Sequence, residues 1–570
     1  MFQTLKRLFL VLMTLVAVNT MVGSLVASWQ QPQIQSRLEL YQINLLLQAS
    51  QWQPPTSTTG LDASKNWQQF RGVILGEEPI KIAQEQYQNA RQADQKILED
   101  LTNPLSKLEN NQSNQAEKSE ESLELSSPSD KIIAQLQEVI PQLDMALGIL
   151  DMELGNKQAA RDIWQGLINA PVNSSSSSAT KLNRTTQEIA KILLNLWSDS
   201  PQLEPTLASK STSKLIPKLI PKSLGWEDTI KTSLSSWFRN RTLHRLYILE
   251  NSLGKLKTLQ QQENAQAENA VWRLLALTLI PSISGILGLG ILIFLGGRAF
   301  IRSQLNPEVG SQVGSGVINN QAVKKDLIVP WDGETIWEVL VGGFFFVGQL
   351  LIPYLFSNLP LGNLNLDVRG KAIAVLSSYL FMSVGTLAVL YFALRRFLPL
   401  PPGWFPIKWR GNWFLWGLGG YLVAIPLVIS ISLVNQVIWQ GKGGSNPILP
   451  LALQGNDLWS FVIFATTASV AAPIFEEIIF RGFLLPSLTR YLPVWGAIAL
   501  SSLLFAIAHL SLSEVLPLTV LGMVLGVVYW QCSSGEELAP KGNLLASMLL
   551  HSLWNGGTLI SLYILSSGGN

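Results

Sequence analysis

Three short patterns near the C-terminus hold the residues best suited to chemistry. Ala471–Arg481, AAPIFEEIIFR, sets Glu476, Glu477 and Arg481 in an apolar run; Phe505-Ala-Ile-Ala-His509 and His551-Ser-Leu-Trp-Asn555 follow. On a helix Glu477 and Arg481 share a face and can pair. Glu476 lies about 100° around the axis from Glu477, so its carboxylate is free to point elsewhere. Phe505 with His509, and His551 with Asn555, repeat the four-residue spacing. Three helices can therefore aim a carboxylate, two imidazoles and an amide at one point.

That set suits hydrolysis. The carboxylate takes a proton from water while an imidazole orients the water or shares the proton. A second imidazole and an amide donate to the oxyanion that forms from a peptide carbonyl. Alternatively, Glu476, His509 and His551 supply three ligands to a divalent ion such as zinc, with an open fourth position. No HExxH occurs, which excludes a zincin-type site. Taken singly, each pattern has a structural explanation: an ion pair locking a kink after Pro473, or a membrane His bonded to a backbone carbonyl. Together they use two of only three histidines in the chain (His244, His509 and His551), and that concentration argues for a site.

Glu476-Glu477-x-x-x-Arg481, Phe505-x-x-x-His509 and His551-x-x-x-Asn555, with Phe480-Arg481-Gly482, resemble the motifs of the CPBP family (Abi, CAAX prenyl protease type II) of intramembrane endopeptidases. The resemblance covers about 451–562. It implies that Glu476 and His509 activate water, that His551 and Asn555 bind the oxyanion or an ion, and that Arg481 holds Glu477. It also implies a peptide or lipidated-protein substrate. The family is commonly labelled a metalloprotease, and this sequence fits a route with or without a metal.

The elements that must position these groups follow from the distribution of apolar residues. Of 570 residues 47 % are hydrophobic and 14 % charged, against about 25 % charged in soluble domains. A net charge of +2 gives no basic excess for nucleic acid. The single Cys532 allows no intrachain disulfide and no Cys-rich zinc site. Apolar stretches at 274–296, 336–356, 372–394, 413–438, 458–480, 494–512, 515–530 and 543–565 read as about eight spans, since a crossing needs about 20 apolar residues. An earlier stretch, Leu8–Trp29, follows Lys6 and Arg7. It reads as an uncleaved signal anchor, with Val26-Ala27-Ser28 as the cleavage site of the alternative, a signal peptide.

The expected fold class is all-α: an anchor helix at 1–29, a helical aqueous domain at 30–271, membrane helices at 272–450 and a catalytic membrane domain at 451–565. Lys and Arg concentrate in alternate loops. By the positive-inside rule this puts the N-terminus in the cytoplasm and 30–271 outside it, in a plasma or thylakoid-type membrane. Within 30–271, a low-complexity segment covers 111–130 and a linker 173–178. Helices are expected over Ile132–Asp151, where Pro141 kinks or divides the chain, over Lys157–Ile168, and over Arg241–Asn269. The Lys214–Lys222 run is interrupted by Pro217 and Pro221 and cannot be one helix. Met145–Ala170 resembles one tetratricopeptide unit, and a generic helical hairpin accounts for the same residues; the domain is a candidate for binding a protein partner or presenting a substrate. His244 reads as an ordinary surface His.

A simple hairpin of 458–480 and 494–512 would put Glu476 and His509 at opposite ends. Either the Glu helix runs on to about Leu488, or 482–493 re-enters the membrane. Two non-peptidase readings remain at this stage: a scaffold or immunity-type protein of the same fold, and a proton-coupled transporter, since membrane Glu and His also make relays.

Overall fold

In the computed structural model the described residues are 2–29, 31, 33–53, 71–72, 75–102, 128–170, 177–199, 201, 205–206, 220–305, 328–358, 367–445, 457–532 and 542–567. They form an all-helical protein apart from one two-residue antiparallel pairing, Pro205–Thr206 with Ile220–Pro221. The helices of the first half are α1 (Phe2–Trp29), α2 (Ile34–Ala49), α3 (Pro79–Thr102), α4 (Pro128–Glu153), α5 (Lys157–Asn169), α6 (Ser177–Leu196), α7 (Lys222–Ser233), α8 (Ser236–Leu249) and α9 (Leu253–Leu305). Those of the second half are α10 (Gly333–Ser357), α11 (Val368–Leu394), α12 (Trp413–Trp439), α13 (Leu458–Leu488), α14 (Val494–Ile507), α15 (Leu512–Gln531) and α16 (Leu544–Ser566). The chain divides into two compact units, 35–277 with 564–570, and 1–34 with 278–563.

In the first unit α4, α5 and α6 pack in succession around Ile149, Leu150, Trp164, Ile189 and Leu193, all fully buried. The α4–α5 hairpin is close because Gly148 has no side chain: a Cβ there would stand 2.2 Å from Trp164 Nε1. We expect Gly148→Ala to cost about 1–3 kcal/mol by overpacking, read as lost hydrogen-exchange protection across 143–167. Outside the membrane spans, burial pushes the Glu227 carboxyl up, but Lys231, Lys255 and Tyr247 outweigh it and hold it down at about 2.

Some expectations for this unit are corrected. Pro141 does not divide its helix; α4 runs unbroken from Pro128 to Glu153. The expected Arg241–Asn269 helix is two, because the chain turns at Asn251, whose φ of 54° is left-handed. His244 is half-buried beside Arg241; burial, and then that charge, lower its pKa. Residues 111–127, 173–176 and 214–219 lie outside the described residues.

The second unit carries the span helices. Among the described residues eight helices are long and apolar enough to cross a membrane; the polytopic helical class follows from them. Among the expected C-terminal spans, 494–512 is instead a shorter helix, α14, of 14 residues. The 458–480 boundary also moves. Helix α13 continues through Pro473 and Pro486 to Leu488, with π-helical turns at Thr467–Ala471 and Ile478–Leu484 on either side of the α-helical Ala472–Glu477. Such widened turns are rare and concentrate at functional sites. From Glu476 the chain climbs twelve residues, about 18 Å, to Leu488 and returns fifteen residues, about 22 Å, from Val494 to His509. The two groups therefore meet at one level.

The ends of these helices are tied. Asp457 accepts from Ser460 N at 2.9 Å and from Ser460 Oγ at 2.7 Å, capping α13. It also takes a two-pronged bond from Arg369 at 2.8 and 2.6 Å, which links α13 to α11. These bonds, Arg369 first, hold the Asp457 carboxyl well below the usual carboxylate range.

Candidate active site

Glu477 is fully buried. Its Oε1 accepts from Arg481 Nη1 at 2.8 Å and bonds His551 Nδ1 at 3.0 Å. Arg481 is buried as well, donates from Nη2 to the Gly522 carbonyl at 3.1 Å, and lies 4.6 Å over the Phe505 ring. The guanidinium thus closes the site from behind, joining α13, α14 and α15. The pairing expected at four-residue spacing is present, and it fixes one face of His551.

Glu476 points the other way, into a cavity of about 320 Å³. Its Oε1 accepts from the Tyr379 hydroxyl at 2.9 Å, while Oε2 has no hydrogen-bond partner among the described residues and lies 3.9 Å from His551 Nε2. Tyr379 rests edge-on against Phe475, ring centroids 6.0 Å apart. One oxygen of the carboxylate is held, and the other is buried without a hydrogen-bond partner, facing His551.

His509 and Asn555 line the same cavity. His509 sits one turn beyond the end of α14, its Nδ1 bonded to Phe505 O at 2.9 Å. A carbonyl only accepts, so Nδ1 carries the hydrogen and the neutral ring keeps its Nε2 lone pair. Asn555 donates from Nδ2 to Ala468 O at 2.7 Å, which fixes the amide. The structure thus brings Glu476, His509, His551 and Asn555 to one cavity. Glu477 and Arg481 lie behind it and are absent from its lining. His551 stands directly opposite the free oxygen of Glu476.

Two participants were not legible in the motifs. Tyr379 is one of several hydroxyl side chains in α11, and only the fold shows that it reaches Glu476. Gln349 of α10 donates to the Ala508 carbonyl at 2.9 Å, beside His509, and also lines the cavity. We expect Tyr379→Phe to leave the fold intact and slow turnover by about tenfold, the loss of one charge-assisted hydrogen bond of 1.5–3 kcal/mol being partly made up by repositioning. Single-turnover kinetics on a cleaved peptide beside a melting curve would check both halves.

Among the described residues no group of three or more His, Cys, Asp or Glu side chains is placed to hold a metal ion. The Nδ1 atoms of both histidines are bonded within the protein, which leaves each Nε2 for water or for an ion, since a metal-bound His usually donates its other ring N–H in this way.

Residues 458–557 match the family model described as type II CAAX prenyl endopeptidase Rce1-like. The match covers 100 of the chain's 570 residues and contains Glu476, Glu477, Arg481, His509, His551 and Asn555, whereas Tyr379 and Gln349 come from helices outside it. Comparison of the chain with curated proteins and with solved structures found no match. The Rce1-like match supports a protease or other hydrolase among membrane-spanning helices.

Proposed function

We propose that the protein is an intramembrane endopeptidase that hydrolyses a peptide bond of a membrane-associated or lipidated protein, using water activated by Glu476. The observation that carries this reading is the divided carboxylate of Glu476, which lines the cavity: Oε1 is held by Tyr379, and Oε2 is buried, unbonded and 3.9 Å from His551 Nε2. Water bound between Oε2 and His509 Nε2 gives a proton to Glu476 as its oxygen bonds the scissile carbonyl carbon. The carbonyl oxygen becomes an oxyanion, for which the second N–H of Asn555 is a donor, joined by His551 when its Nε2 carries a proton. The C–N bond then breaks, and the proton on Glu476 passes to the leaving amine. Electrons and protons balance without a further reagent.

The membrane orientation belongs to the same reading: N-terminus in the cytoplasm, residues 30–271 outside it, as the loop Lys and Arg distribution argues. A farnesylated fluorogenic CAAX peptide in nanodiscs, with comparison of membrane-protein termini in cells carrying wild type or a Glu476 variant, tests the function. Termini that appear only with wild type support it. No difference between the two, and no cleavage of the probe, overturns it. Activity that survives exhaustive chelation fits the side-chain route; activity lost on chelation and regained with zinc makes Glu476, His509 and His551 ligands instead.

A further inference from the structure

We infer that the N-terminal helix α1 is a permanent wall of the membrane unit and that Ser28, at its far end, positions His509. At the start of α1, Lys6 pairs with Glu334 at 3.1 Å and with Glu338, and Arg7 Nε pairs with Glu334 at 2.9 Å. Midway, Trp337 Nε1 donates to Thr14 Oγ1 at 2.8 Å. Ala17 is 2 % exposed and belongs to the same apolar cluster as Phe344, Phe475, Phe480 and Phe505. An anchor that only tethered the chain would need none of these contacts.

The far end reaches the site. Ser28 is buried, and its Oγ accepts from Leu512 N at 3.2 Å, the first residue of α15 and three residues past His509. Gln31 O accepts from Gly443 N and Gly444 N, both at 3.1 Å. Those glycines in turn accept through their carbonyls from Ser513 N at 3.1 Å, Ser511 Oγ at 3.3 Å and Ser513 Oγ at 2.6 Å. Between His509 and this knot stands Leu510 with φ 55°, a left-handed conformation that a branched residue adopts only when its surroundings impose it. The His509 turn is thus gripped on one side by Gln349 through Ala508 and on the other by Ser28 through Leu512. Ser28 is a positioning residue; it touches no reacting atom. Removal of a leader at Val26-Ala27-Ser28 would cut through this tie, take Lys6 and Arg7 from Glu334, and leave Glu338 with Arg396 alone.

The test reads the helix and the imidazole directly, so it stands or falls separately from the peptidase reading. The mature membrane protein, digested and analysed by mass spectrometry, should contain peptides from residues 3–29; a chain beginning just after Ala27 or Ser28 would overturn the inference. Diethyl pyrocarbonate then reports on the histidines. In Ser28→Val the labelling rate of His509 should rise several-fold with His244 unchanged, and Ser28→Thr, which restores the hydroxyl, should return it to wild type. An unchanged His509 rate in folded Ser28→Val, or no recovery with Thr, defeats the positioning role. Should Ser28→Val not fold, the pair Ser28→Cys and Gly444→Cys in a Cys532→Ser background replaces it. A Cβ at 444 would lie 3.1 Å from that of Ser28, and Gly444 has φ 73°, so the bond forms once the 444 backbone relaxes to the slightly wider Cβ spacing of a disulfide. Cross-linking under mild oxidant is the expected result, and its absence counts against a docked α1.

Discussion

Glu476→Gln should lose about 10²–10⁴-fold in cleavage rate, the range of one general base, with protein level and melting unchanged. The amide keeps the shape of the side chain and can still accept from Tyr379, so the contact seen at 2.9 Å is preserved. What disappears is the ability to take a proton from water. His509→Ala, assayed beside it, should also fall steeply, because the ring that orients the water is gone while the cavity stays open. Full activity in both variants would mean that hydrolysis is not performed by this cavity. Quantitation of product against immunoblotted enzyme in the same membranes is the measurement.

Arg481→Met should instead destabilise the protein by about 3–5 kcal/mol, the usual consequence of leaving one buried charge without its partner. Glu477 would lose its guanidinium partner, the Gly522 carbonyl its donor, and Phe505 its cation. Because α13, α14 and α15 meet at this guanidinium, we expect the loss to be felt across all three helices. The double variant Glu477→Leu with Arg481→Met should recover much of the stability, since two apolar groups of similar size replace a pair whose desolvation is costly. It should not recover activity, because His551 then lacks the carboxylate on its Nδ1. Denaturant-induced unfolding in detergent, with cleavage measured in parallel, separates the two outcomes.

The spacing of Glu477 and Arg481 predicted their pairing because both lie on one helix, where geometry is set locally. The convergence of Glu476 with His551 depends on where helices end, and there the apolar pattern misled: Ile478 to Leu488 is uniformly apolar apart from Arg481 and Ser487, yet two prolines and two π-helical turns lie along the same helix. Hydropathy alone put a boundary at 480. The Glu–Tyr379 bond could not be read at all, since it joins residues 97 apart in sequence and a Tyr in an apolar helix carries no spacing signal. The break at Asn251 was missed for a related reason: polar residues continue on both sides of it, and only the left-handed φ marks the turn.

The tie between Ser28 and Leu512 spans 484 residues, and that separation constrains how the protein is made. Translation at about 5–20 residues per second puts roughly 25–100 s between the emergence of Ser28 and that of Leu512. Glu334, Trp337 and Glu338 arrive earlier, but still some 300 residues after α1. For that whole interval α1 resides in the bilayer before its last contacts exist, while Lys6 and Arg7 hold one end at the water interface. The His509 turn can be set only when Leu512 has followed Ser28 into the bundle, so α1 waits for the segment that completes the site.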